Sequence, residues 1–161
     1  MINTVVKSSD YTDRYVTYDV LDDGFGQGAL YTVVNQAENL PTMYQKFYVY
    51  KDMPYALVQV ELGSDNEIST NFMAPISTSG ENVVDIGTKT DARALFVPFS
   101  NDGYTAYNPE TLNGAHTSYF VTAIFDNNSR NSVIAGSVDH DTWKTGTSTW
   151  ATAVSYTHLR A

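Results

Sequence analysis

Apolar and polar residues alternate with a period of two along most of this chain. Val16, Tyr18 and Val20 alternate with Tyr15, Thr17 and Asp19, and Ala56, Val58, Val60 and Leu62 alternate with Leu57, Gln59 and Glu61. Successive strand side chains point to opposite faces, so this pattern predicts half-buried β-strands with one wet face and is incompatible with the 3.6-residue period of a helix. In Tyr119 to Phe125 both sets are mostly apolar, which predicts a central strand covered on both sides.

Turn residues punctuate the strands at short intervals. Asp22-Asp23-Gly24, Gly63-Ser64-Asp65-Asn66, Asn101-Asp102-Gly103, Asn113-Gly114 and Asp126-Asn127-Asn128-Ser129 each close a strand-like run. Lys51-Asp52-Met53-Pro54 separates FYVY from YALVQVEL and predicts a hairpin. Leu40 to Gln45 could make a short turn, but Pro41 and the FYVY that follows favour a strand start. Gly24-Phe25-Gly26-Gln27-Gly28 invites a dinucleotide-loop reading only weakly, since a strand-like GALYTVVNQ stands where that loop needs a helix, so a hairpin or bulge is expected. No stretch combines helical periodicity with caps. About ten strands at this spacing predict an all-β, antiparallel β-sandwich or a barrel, and no linker or repeat divides the chain.

Composition narrows the function. Tyr (12) and Phe (7) suit packed strands, and a 42% hydrophobic content excludes a disordered chain. A formal net charge of -9 repels phosphate backbones and anionic lipid, so neither nucleic acid nor membrane is an expected partner. Without cysteine there is no disulfide, thiolate metal site or cysteine nucleophile, and the compartment stays open. No Gly-x-Ser-x-Gly elbow is present, and no carboxylate pair stands out for glycoside hydrolysis.

The densest chemistry lies between Phe125 and Gly146, where a strand-like run, Asn131 to Val138, sits between two polar turns. In the second turn, Asp139, His140 and Asp141 can grip sugar hydroxyls, and Trp143 can stack on an apolar ring face. The same residues equally suit a strand-end turn in which Asp caps backbone amides and Trp covers the rim. Only Asp139 and Asp141 would share a side, which is too few ligands for zinc, and no metal or other cofactor is expected. A second candidate is the loop Leu95 to Asn108, with Asn101 and Asp102, although Asn-Asp-Gly is also plain turn chemistry. In Asn127 to Asn131, Arg130 is expected to form an internal ion pair rather than to hold a ligand.

NFMAPI (Asn71 to Ile76), LFVPFSNDGY (Leu95 to Tyr104) and NNSRNSVIAGSVDHDTWKTG (Asn127 to Gly146) together resemble segments of gut-bacterial glycoside hydrolases of the α-galactosidase or melibiase-like class, glycoside hydrolase family 36 and its relatives. QKFYVYKDMPYALVQVEL (Gln45 to Leu62) resembles a strand pair of galactose-mutarotase-like sandwiches. That resemblance implies an amino-terminal β-supersandwich preceding a (β/α)8 barrel, which carries a nucleophilic and an acid/base aspartate. Nothing in the chain alternates strand with helix, so no residue is expected to be catalytic. The implied role is to pack on the barrel of the same full-length polypeptide and help shape its pocket for a galactoside-like glycan, with Asp102, Asp139, His140, Asp141 and Trp143 as contributors.

A periplasmic or secreted whole protein fits that role. Residues 1–153 are expected to form one truncated sandwich domain, and VSYTHLRA (Val154 to Ala161) resembles a translated sequencing adapter, so no function is expected of His158 or Arg160. The alternatives are a free-standing carbohydrate-binding module, in which Trp143→Ala abolishes binding, and a purely structural sandwich.

Overall fold

A computed structural model describes residues 5–78, 84–87, 90–98, 107, 109–112, 114–139, 141, 144–151 and 156–160. The fold is all-β and antiparallel: eleven strands and one short 3₁₀ turn, Ser8–Asp10, are the regular elements of the described residues. None of them is a helix long and apolar enough to cross a membrane. The chain forms two compact units, Met1–Asn71 and Phe72–Ala161.

The first unit is a meander of β1 (Asp13–Asp23), β2 (Gly26–Gln36), β3 (Thr42–Tyr50) and β4 (Ala56–Gly63), hydrogen-bonded in that order. Strand β3 starts at Thr42, directly after Pro41, as its sequence favours. The register opposes Asp23 to Gly26, which leaves Gly24 and Phe25 as a two-residue hairpin turn closed by the Phe25 N–H donating to Asp23 Oδ1 at 2.8 Å. The glycine-rich segment is therefore a hairpin. Gly26 takes φ 132°, and a Cβ on Gly28 would collide with Val49 O and lie 2.8 Å from Tyr50 Cα. Glycine at 28 lets β3 approach this closely.

Cross-strand pairing sorts the side chains. Val16, Tyr18 and Val20 fall on one face with Val33, Tyr31 and Ala29 of β2, Gln45, Phe47 and Val49 of β3, and Val60, Val58 and Ala56 of β4. The alternation is as the sequence predicts, but the burial is not. Val16, Tyr18 and Val20 are 60%, 58% and 77% exposed, because β1 is an edge strand and a single sheet cannot cover its own apolar face. Among the described residues of this unit, the buried side chains are Tyr11, Thr32, Val34, Asn35 and Tyr50. Asn35 is fully satisfied: Arg14 Nε donates to its Oδ1 at 2.6 Å, and its Nδ2 donates to Met43 O and Gln45 Oε1, both at 3.2 Å.

The second unit holds two sheets. One runs β6 (Pro109–Thr111), β5 (Ala92–Leu95), β8 (Val121–Asp126), β9 (Ser132–Gly136), and the other β11 (Tyr156–Arg160), β10 (Gly146–Ala151), β7 (Gly114–Tyr119). They meet where β10 approaches β8 and β9 and where β7 approaches β8. Ile86, Ala94 and Ile124 form the buried core, flanked by Val84, Phe96 and Leu112. Residues 156–160 pair with β10.

The run Tyr119 to Phe125 is not one strand. Phe120 takes φ 67°, a left-handed conformation that breaks the extended backbone between β7 and β8. Strand β8 is central, between β5 and β9, but its burial alternates, so only Thr122, Ile124 and Asp126 are buried. Two buried hydroxyls bind the break to the end of β5 and the segment after it: Ser118 Oγ accepts from Val97 N at 2.8 Å and donates to Val121 O at 2.6 Å, while Thr122 Oγ1 donates to Leu95 O at 2.8 Å. The strand after the first polar turn is also shorter than its apolar run, ending at Gly136 instead of Val138.

Candidate functional site

The two polar turns flanking β9 differ in what their side chains do. In the first, the fully buried carboxylate of Asp126 accepts backbone N–H groups from Asn128 (2.9 Å), Ser129 (2.8 Å) and Asp91 (2.8 Å), and the Thr90 hydroxyl at 3.4 Å. Hydrogen bonds from the Asp91 and Ser129 amides dominate and hold this carboxyl well below the usual carboxylate range, against the opposing effect of burial. Asn127 Nδ2 donates to Asp91 Oδ2 at 3.1 Å and Asn128 Nδ2 donates to Thr90 Oγ1 at 2.8 Å. The amides of this turn thus fasten it to residues 90–91. Arg130 closes the turn with φ 66° and its N–H donating to Asp126 O at 2.9 Å. Its expected internal ion pair is not found: no described carboxylate pairs with it, and the exposed side chain follows from the turn position of its backbone.

The second turn leaves and re-enters the sheet at one point. Ser137 N donates to Phe120 O at 2.9 Å, Phe120 N donates to Thr145 O at 3.2 Å, and the hydroxyls of Ser137 and Thr145 touch. Asp139 and Asp141 both lie in this turn, exposed, and Asp141 N donates to Asp139 Oδ1 at 3.0 Å. Asp139 caps its own turn through one oxygen; its other carboxylate oxygen and the whole Asp141 carboxylate have no hydrogen bond to a described residue. Lys144, at the far end, lies 4.6 Å from the centre of the Tyr119 ring. His140 and Trp143, and Asp102 of the other candidate loop, lie outside the described residues. The structure therefore brings Asp139 and Asp141 together. Among the described residues no group of three or more His, Cys, Asp or Glu side chains is arranged to hold a metal ion.

A third polar and aromatic locus has no counterpart in the candidates read from sequence. At the end of the first unit where the β1–β2 and β3–β4 turns lie, Phe25 and Tyr55 flank Tyr50, with ring centres 6.0 and 5.7 Å away and planes tilted by 42° and 47°. Tyr50 is buried and donates its hydroxyl to Asp23 Oδ2 at 3.0 Å. Burial first, and then this bond to a carboxylate, push the Tyr50 hydroxyl up to about 12. The signal in the sequence was an aromatic residue within or beside each of two turns, Phe25 and Tyr55, but only strand pairing reveals that the turns are neighbours.

No family model, curated protein or solved structure matches the chain.

Proposed function

We propose that this chain is a non-catalytic β-sandwich domain of an α-galactosidase-like glycoside hydrolase, which packs on a catalytic barrel of the same longer polypeptide and helps shape the pocket for a galactoside. The motifs at Asn71 to Ile76, Leu95 to Tyr104 and Asn127 to Gly146 support the class of enzyme. The observation that carries the packing role is the apolar face of β1–β4, where Val16, Tyr18 and Val20 stand mostly exposed beside half-exposed Tyr31 and Val49. A contiguous apolar sheet face of this kind marks a surface made to be covered. The exposed carboxylates of Asp139 and Asp141 beside the end of β9 support the pocket role, since they can accept bonds from sugar hydroxyls.

Expression of the chain alone and of the polypeptide encoded by the uninterrupted gene tests this reading with a nitrophenyl α-galactoside. The chain alone is expected to release no nitrophenol, and the longer polypeptide to release it through a barrel with two strand-end aspartates. Turnover by the chain alone, or a longer polypeptide without a barrel, overturns it. A free-standing carbohydrate-binding module is the second reading, favoured by the half-exposed rings of Phe25 and Tyr55; it binds glycan with no barrel present.

A further inference from the structure

We infer that the turn end of the first unit, formed by Asp23, Phe25, Tyr50 and Tyr55, is a stacking platform for a galactoside. The class of ligand rests on the carbohydrate reading above; the place rests on its own geometry. The register of β1 and β2 leaves only Gly24 and Phe25 in the turn, too short a loop for Phe25 to fold back into the sheet. Gly28 admits the close approach of β3 that ends in Tyr50, and the Tyr50 ring comes within 4.0 Å of where a Cβ on Gly26 would stand. Tyr50 is thereby a fixed floor, locked by its bond to Asp23. The two outer rings are not tucked away: Phe25 is 46% and Tyr55 41% exposed. Both rings therefore offer apolar surface to a ligand beside the buried Tyr50.

The polar groups at the edge of the rings fit a neutral polyol. Asp23 accepts from the Phe25 N–H through Oδ1 and from the Tyr50 hydroxyl through Oδ2, and each carboxylate oxygen keeps a further lone pair for a sugar hydroxyl. Tyr55 donates its hydroxyl to Phe25 O at 3.4 Å, which leaves its oxygen as an acceptor. Acceptors beside apolar rings match a pyranose, whose hydroxyls donate around the rim while C–H groups line one face. In galactose the axial O4 clears the opposite face, so C3 to C6 form a continuous apolar surface. The carboxylate and the chain's net charge of -9 disfavour an anionic ligand. The two outer rings are tilted by 42° and 47° to the Tyr50 ring.

The test titrates the ¹⁵N-labelled 161-residue chain with melibiose, and separately with tetramethylammonium chloride, following backbone amide shifts. Melibiose is expected to shift amides of Asp23 to Gly28 and Lys51 to Tyr55 in a saturable way. Phe25→Ala and Tyr55→Ala should each weaken this binding about tenfold, while Tyr55→Phe, which keeps the ring, stays within about threefold of the parent. Unchanged shifts at Tyr18 and Tyr31 confirm that each variant keeps the sheet. Melibiose shifts confined to residues 137–146 overturn this platform and leave the carbohydrate reading standing. Shifts at the platform with tetramethylammonium but not with melibiose overturn it in favour of a cationic ligand. The absence of any melibiose shift overturns the platform, while the barrel experiment above decides the enzyme reading independently.

Discussion

The backbone N–H of Asp91 donates to the carboxylate of Asp126 at 2.8 Å, and this bond ties the residue before β5 to the last residue of β8. With the bonds from Asn128 and Ser129 it makes one buried side chain the organiser of the whole turn between β8 and β9. Both oxygens are in use. Asp126→Asn must therefore turn an NH₂ group toward an amide that needs an acceptor, and is expected to lower the urea midpoint. The pH dependence carries a sign. The folded carboxyl titrates far below its ordinary value of 3.8, so the unfolded chain takes up the proton first as pH falls. The stabilisation is fully present above the unfolded value and is lost as pH falls through the folded one. Between about pH 6 and about pH 3 the parent's urea midpoint should fall more steeply than that of Asp126→Asn. Parallel slopes would show that this carboxylate does not carry the acid sensitivity.

Two glycines of one hairpin should respond in opposite ways. Gly24 has nothing within 4 Å of an added Cβ, and Gly24→Ala is expected to leave the melting temperature nearly unchanged. Gly28→Ala meets backbone of β3 and should cost about 1–3 kcal/mol by parting the β2–β3 ladder. Thermal melts of both variants check the contrast.

Phe120 holds a left-handed backbone conformation at the base of the 138–144 turn. A β-branched side chain fits that conformation worst, and Asn tolerates it. Phe120→Val is expected to be less stable than Phe120→Asn by about 1 kcal/mol, although valine is the more apolar replacement. Denaturant unfolding of the two variants measures the difference; the reverse order would mean that the ring's packing, not the backbone, governs this position.

The exposed face of β1 predicts self-association. Val16→Lys with Val20→Lys should raise the monomer fraction of the isolated chain in light scattering, because charge on an edge strand blocks pairing with a second chain. Both positions are mostly exposed, so each should change stability by no more than about 0.5 kcal/mol.

The period-two pattern together with the turn residues determined the all-β antiparallel class, the hairpin at Lys51 to Pro54 and the turn at Asp126 to Ser129, and narrowed the glycine-rich segment to a hairpin or a bulge. These follow from backbone geometry acting over a few residues, which local sequence records. Tertiary structure alone decided that Tyr119 to Phe125 breaks at Phe120, because the break is held by Ser137 and Thr145, distant in sequence. It decided that Val16, Tyr18 and Val20 face solvent, since alternation assigns residues to a face and cannot say whether anything covers it. It turned Arg130 outward on a turn organised by the Asp126 carboxylate and fastened to residues 90–91. It also brought Phe25 beside Tyr55, which lie thirty positions apart and become neighbours only through the pairing of β1 with β2 and of β2 with β3. Contacts of that kind depend on register across several strands, and no stretch of sequence read alone contains it.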